Sequence, residues 1–225
     1  MKICAATGNA GKLRELRRIL EAQGHEVVSQ KQLGITIEPE ETGTTFAENA
    51  LIKAETICRA SGLPTIADDS GLCVDALDGR PGVYSARYAG EHATDADNCA
   101  KLLEEMKGQK NRSAHFTCVL SLAVPSGPAL TWEASCAGEL LEEKKGESGF
   151  GYDPLFFYPD FGKTFAEVPL AQKSSVSHRG KALREFASDF DKVAQWVRQR
   201  MEEIKPAKPD HKEFEHNDWS QERMV

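Results

Sequence analysis

A chain of 225 residues, 40% hydrophobic and 28% charged, has the composition of an ordinary globular protein and enough length for one large core. Its net charge of −7 argues against a nucleic-acid polymer as partner, since polyanion binders carry a basic face. A small anionic ligand stays compatible with that charge, because charges beyond about 10 Å are screened at physiological salt.

No run approaches the ~20 apolar residues of a membrane span, and no signal-peptide core follows Met1-Lys2. The six cysteines are dispersed, with no CxxC and no zinc spacing. Cys4, Cys58 and Cys118 lie in apolar runs, where free cysteine acts as a small hydrophobe. A reducing compartment, the cytoplasm, is the expectation.

Lys2 to Ala6 reads as a buried strand. It turns through Gly8-Asn9-Ala10-Gly11 into a helix that places Leu13, Leu16 and Leu20 on one face. Strand, glycine turn and helix in succession open an α/β fold. Thr7, Gly8, Asn9, Ala10, Gly11 and Lys12 put small residues and a lysine where free N–H groups and the helix dipole favour an anion. The glycine spacing is not that of a Walker A loop. The same residues also suit a plain strand–helix turn with a solvated lysine.

His25 to Ser29 predicts a second strand, followed by an acidic stretch that contains Glu40 and Glu41. Thr45 and Glu48 form a capping box ahead of a helix whose inward stripe is Phe46, Ala50, Ala54, Ile57 and Cys58, with Gly62 ending it. Lys53 lies near that stripe, so it either reaches into a cleft or snorkels to solvent.

Pro64 to Ala67 and Leu72 to Ala76 read as two strands around an Asp68-Asp69-Ser70-Gly71 turn. Adjacent carboxylates suit a magnesium ion, which takes one or two protein oxygens and keeps water and phosphate for the rest. An acid beside such a metal can also accept a proton from water. Acids that merely cap turn N–H groups are the other reading.

Thr94 opens a short helix through Leu102, Leu103 and Met106. His115 to Val124 and Ala129 to Ala137 predict a hairpin, and hence antiparallel pairing inside a mixed sheet. Phe150, Gly151, Tyr152 and Asp153 combine backbone that can approach a ligand with two aromatics able to stack on a base, although at least one of them suits the core better. Ser177 is a natural N-cap for the last helix, which carries Leu183, Phe186, Phe190, Val193, Val197 and Met201. Lys173, His178 and Arg179 gather cationic groups at its start, where the dipole favours acids, and this hints at a polar or anionic ligand. Residues 205–225 are charged, proline-bearing and aperiodic, which predicts a disordered tail after one domain over 1–204.

Taken in order, TGNAGK, EETGTTFAENALIKA, IADDSGL, RPGVYSARY, GFGYDPLF and SHRGKA strongly resemble the inosine/xanthosine triphosphate pyrophosphatase family, also called Ham1-like. The likeness covers roughly residues 1–200. It implies an elongated α/β fold with a mixed sheet and two lobes flanking a central substrate cleft, a homodimer, and a requirement for Mg2+. It implies conversion of dITP, ITP or XTP to the monophosphate and pyrophosphate, which removes deaminated purines from the nucleotide pool. By the same resemblance Asp69 is the proton acceptor and a metal ligand, with Glu41 as second ligand. Thr7 to Lys12, Lys53, Ser70, Phe150 to Asp153, Lys173, His178 and Arg179 become substrate contacts.

Overall fold

The first 66 residues wind a strand, a helix and a second strand around the start of a third, and everything after them pairs antiparallel. The computed structural model describes residues 1–203; the tail predicted over 205–225 lies outside them. Its strands are β1 (Lys2–Ala5), β2 (Glu26–Ser29), β3 (Thr65–Val74), β4 (Ser113–Ala123), β5 (Leu130–Leu140), β6 (Phe156–Tyr158) and β7 (Lys163–Thr164). They form one sheet in the order β2-β1-β3-β4-β5-β6-β7. β1 runs parallel to β2 and β3, and the remaining pairs are antiparallel. The predicted mixed α/β sheet is therefore present.

The helices are α1 (Ala10–Glu21), α2 (Phe46–Ser61), α3 (Asp95–Glu105), α4 (Leu170–Val176) and α5 (His178–Glu203). Both predicted caps of α2 form: Thr45 and Glu48 make a reciprocal capping box, and Gly62 ends the helix at φ 66°. Such caps satisfy backbone groups that the helix itself leaves open. Thr94 and Asp97 do the same for α3.

Alternation along β3 sorts its side chains between the two faces of the sheet. Ile66 joins a core built from α1, β4 and α5, and Leu72 and Val74 join a second core with α3, β4 and β6. Ala67 faces the other way, into a small cluster with Ala54, Ile57 and Cys58 of α2. Asp68 and Ser70 thus fall between two cores on one face, and Asp69 lies on the α2 face. All six cysteines are free, and Cys4, Cys58 and Cys118 are buried as their setting predicts.

One local expectation fails. Asp68-Asp69-Ser70-Gly71 is not a turn between two strands; it is the middle of β3, paired residue by residue with Leu120, Val119, Cys118 and Thr117 of β4. A long antiparallel ladder with apolar partners outweighs the turn preference of Asp, Ser and Gly. Gly71 is required there for space, since a Cβ would collide with the Gly82 carbonyl oxygen and Ser85 Oγ.

Candidate active site

β1 pairs with β3 only as far as Ala5 opposite Ile66. Past that point, among the described residues, β3 runs on with no strand on its β1 side until Cys73 bridges Pro81. The open edge between these points lets groups from both faces of the sheet meet at the end of β1. In open sheets of this kind ligands gather where strand connections diverge.

On one face Asp68, 7% exposed, receives Lys12 Nζ at 2.8 Å and Arg179 Nη2 at 3.2 Å. Burial alone would raise its carboxyl pKa, but Lys12 and Arg179 outweigh burial and hold the group well below the usual carboxylate range. Arg179 Nη2 also donates to Ser70 Oγ at 2.8 Å. Arg179 enters this face because α4 and α5 join tightly: Ser177 Oγ accepts from Gly180 N at 3.2 Å, and a Cβ at Gly180 would strike the Ser174 carbonyl oxygen.

His178 is buried against Phe116, with the rings nearly parallel and centroids 4.7 Å apart. Burial, then the charges of Arg179 and Lys173, push its pKa well below the ordinary histidine value. The imidazole is therefore neutral near pH 7 and has a single N–H to give. This removes the conflict expected from two cations in the first turn of α5, because only Arg179 is charged and Asp68 answers it.

On the opposite face Lys53 reaches inward instead of snorkelling. Its Nζ lies 2.9 Å from Asp69 Oδ1 and 3.1 Å from Glu41 Oε1. Arg87 approaches Glu41 from the other side at 3.5 Å. Asp69 is as buried as Asp68, at 8% exposed, yet its pKa is raised: burial dominates, Lys53 opposes it, and Glu41 and Asp68 add to it. Asp69 Oδ2 is buried and has no hydrogen-bond partner among the described residues.

A cavity of about 240 Å³ brings together Asn9, Lys12, Ser70, Phe150 to Asp153, Lys173, His178 and Arg179. The two predicted aromatics separate. Tyr152 is 3% exposed and donates its hydroxyl to the Ser85 carbonyl oxygen, so it belongs to the core. Phe150 remains 51% exposed, with Lys173 Nζ 4.6 Å from its ring centroid. Asp153 is buried and paired with Lys173, and also accepts from Phe150 N.

The glycine turn is less open to an anion than its sequence predicts. Asn9 caps α1 by accepting from Gly11 N at 2.8 Å and Lys12 N at 3.1 Å, and Thr7 Oγ1 accepts from Asn9 N. Lys12 Nζ is turned to Asp68, while among the described residues the Thr7, Gly8 and Ala10 N–H groups have no hydrogen-bond acceptor and Gly8 keeps open space beside the loop.

Several residues around the site escaped the sequence reading. Asp68 appeared only as half of a pair. Phe116 follows from strand alternation once β4 is placed. Asp95 and Asn98 also line the cavity; Asn98 lies on the buried α3 stripe that leads to Leu102, and Asp95 is exposed at the start of the helix.

A sequence model described as the Ham1 family matches residues 3–189. A protein of Desulfotalea psychrophila named dITP/XTP pyrophosphatase is 55% identical over 218 residues, covering 97% of this chain and 98% of that protein. One of the same name from Haemophilus influenzae is 53% identical over 186 residues, covering 81% of this chain and 95% of its own. Among solved structures, the Staphylococcus aureus Ham1 protein superposes with a TM-score of 0.81 at 39% identity, covering 86% of this chain and all of the other. A Mycobacterium abscessus structure titled nucleoside-triphosphatase / dITP/XTP pyrophosphatase gives a TM-score of 0.71 at 42% identity, covering 83% and 97%. With the match running from β1 into α5 and the sheet shared with solved relatives, this chain belongs to the Ham1 family.

Proposed function

We propose that this chain hydrolyses dITP, ITP and XTP to the nucleoside monophosphate and pyrophosphate, with Asp69 as the proton acceptor. One observation supports the reading: Asp69, a buried acid of raised pKa with one oxygen unpaired among the described residues, faces Lys53 and Glu41, and directly precedes Ser70, which lines the cationic, aromatic-lipped cavity on the other face of β3. Relatives named dITP/XTP pyrophosphatase, 55% and 53% identical over 97% and 81% of this chain, support the substrate class.

The donor set fits magnesium. Asp69 Oδ2 is an orphaned hard oxygen, and Glu41 converges with Asp69 on the same ammonium group. Among the described residues no cluster of three or more His, Cys, Asp or Glu could cage a metal. Magnesium does not need one, because it keeps several water and phosphate ligands. Asp69 and Glu41 would hold the ion, which when bound supplies Lewis-acid polarisation of the phosphate.

The chain's own residues do the rest. Lys12, Lys53, Lys173 and Arg179 offset the charge of the triphosphate and of the leaving pyrophosphate, and such preorganised charge is usually the largest catalytic contribution. Asp69 takes the proton of the attacking water. Phe150 stacks on the base, and His178 offers its single N–H to the O6 acceptor of hypoxanthine or xanthine. Adenine presents an amino donor at that position and meets donor with donor. A homodimer and a cytoplasmic setting complete the proposal on the strength of the resemblance.

Incubation with ITP, XTP, GTP, ATP, dUTP and dTTP, with and without magnesium, tests it. ITP and XTP should exceed the others by about tenfold and release pyrophosphate only with the metal. Release of orthophosphate would overturn the reaction type. Preference for dUTP or dTTP would point to a pyrimidine pool enzyme, and nucleotide binding without turnover to a sensor.

A further inference from the structure

Two polar residues of α3 line the cavity: Asp95, exposed at the first position of the helix, and Asn98, buried one turn later. Asn98 is 3% exposed. Its carboxamide accepts from Ala89 N at 2.8 Å and donates to the Ala86 carbonyl oxygen at 3.0 Å, which fixes the segment carrying Ser85 and Arg87. Asp95, one turn earlier, accepts from Gly151 N at 2.6 Å across 56 residues of sequence. Cys99 Sγ donates to the Gly151 carbonyl oxygen at 3.4 Å. Both polar groups of one peptide-bearing residue are thus held by the same helix.

Gly151 adopts a left-handed φ of 60°, a conformation that other residues resist. Immediately before it, Phe150 N is held by Asp153 at 3.0 Å. Two carboxylates, Asp95 from α3 and Asp153 from the loop itself, therefore pin the successive N–H groups on either side of the Phe150 Cα. The ring itself is half exposed, with Lys173 Nζ 4.6 Å and the Arg179 guanidinium 5.8 Å from its centroid. Asp95 is not needed to cap α3, because Thr94 and Asp97 already close that end reciprocally.

We infer that Asp95 is a positioning residue for substrate binding: through Gly151 it fixes the backbone from which the Phe150 ring faces the base. The inference rests on the proposed role of Phe150 in stacking on a purine. It predicts a defect confined to the base end of the substrate, because the phosphate end is gripped by Lys12 and Lys53 from other elements.

The test compares wild type, Asp95→Ala and Asp95→Asn with ITP as substrate and inorganic tripolyphosphate as inhibitor. Asp95→Ala should raise KM for ITP by about tenfold, the scale of one charge-assisted hydrogen bond. Its kcat and the tripolyphosphate Ki should stay within about threefold of wild type. Asp95→Asn keeps an acceptor oxygen and should recover most of the lost KM. An unchanged KM in Asp95→Ala overturns the inference. So does a tripolyphosphate Ki that rises in step with KM, or an alanine variant that does not fold, since either result marks a general structural role. A wild-type protein that releases no pyrophosphate from ITP would instead sink the functional reading itself.

Discussion

Asp68 and Asp69 are covalent neighbours of equal burial, yet β3 turns them to opposite faces of the sheet and into opposite electrostatic settings. Asp68 meets two cations, Lys12 and Arg179, and is held ionised. Among the described residues Asp69 meets one cation, Lys53, shares it with Glu41 and keeps one oxygen unpaired, and its pKa is raised. Residue type and burial are the same, so the number of facing cations decides which acid is free to take a proton. The saturated carboxylate orders the phosphate-binding cations, and the under-paired one does chemistry.

Exchanging each acid for its amide is the most direct way to break that contrast. Asp69→Asn should lower kcat by about 10³-fold, the scale of a lost general base, with KM within about threefold. Single-turnover pyrophosphate release would measure it, and retention of about a tenth of wild-type activity would remove Asp69 from its role. Asp68→Asn should act the other way round. It leaves Lys12 and Arg179 partly buried without their carboxylate, so unfolding free energy should drop by about 3 kcal/mol and KM should rise, while kcat changes less. Urea unfolding alongside steady-state kinetics separates the two outcomes. Were Asp68→Asn to abolish turnover while leaving stability intact, the assignment of roles would be reversed.

The cation-rich face also predicts a pH dependence. His178 is folded with its pKa depressed by burial and by Arg179 and Lys173. Below its ordinary value of about 6.5 the unfolded chain takes up a proton that the folded chain does not. Stability is therefore full above that pH and declines as pH falls, by up to about 1.4 kcal/mol per unit until the folded pKa is reached. Denaturant titrations from pH 7 to pH 5 should show this slope in wild type and a shallower one in His178→Gln. Equal slopes would mean that the imidazole is charged in the folded protein.

Much of this arrangement was legible in the sequence, and the failures share a cause. The capped helix α2, with Lys53 beside its stripe, is encoded within 18 residues, from Thr45 to Gly62, so local rules find it. The opposed faces of Asp68 and Asp69 could not be read the same way, because they depend on β4, some fifty residues downstream, drawing a turn-like segment into a ladder. Phe150 and Tyr152 are both aromatic and two residues apart. Tyr152 is the one that goes inside, where its ring joins the second core and its hydroxyl meets the Ser85 carbonyl oxygen, partners distant in sequence. Asn9 occupying the helix N–H groups was readable, since asparagine is a strong N-cap, but the glycines beside it directed attention to an anion.

Ser70→Ala should give the smallest effect and the finest test of the contrast. Ser70 points to the same face as Asp68 and accepts from Arg179 Nη2, which Asp68 also holds. Removing the hydroxyl deletes one hydrogen bond to a charged group, nominally worth about 1.5–3 kcal/mol. Because Asp68 still orients the guanidinium, only about 1 kcal/mol should be lost, read as a roughly fivefold rise in KM. In the Asp68→Asn background the same change should cost distinctly more, since the hydroxyl then becomes a principal anchor of Arg179. An additive double-mutant cycle would mean that Ser70 and Asp68 act separately, and that the carboxylate's role on this face is electrostatic without being orientational.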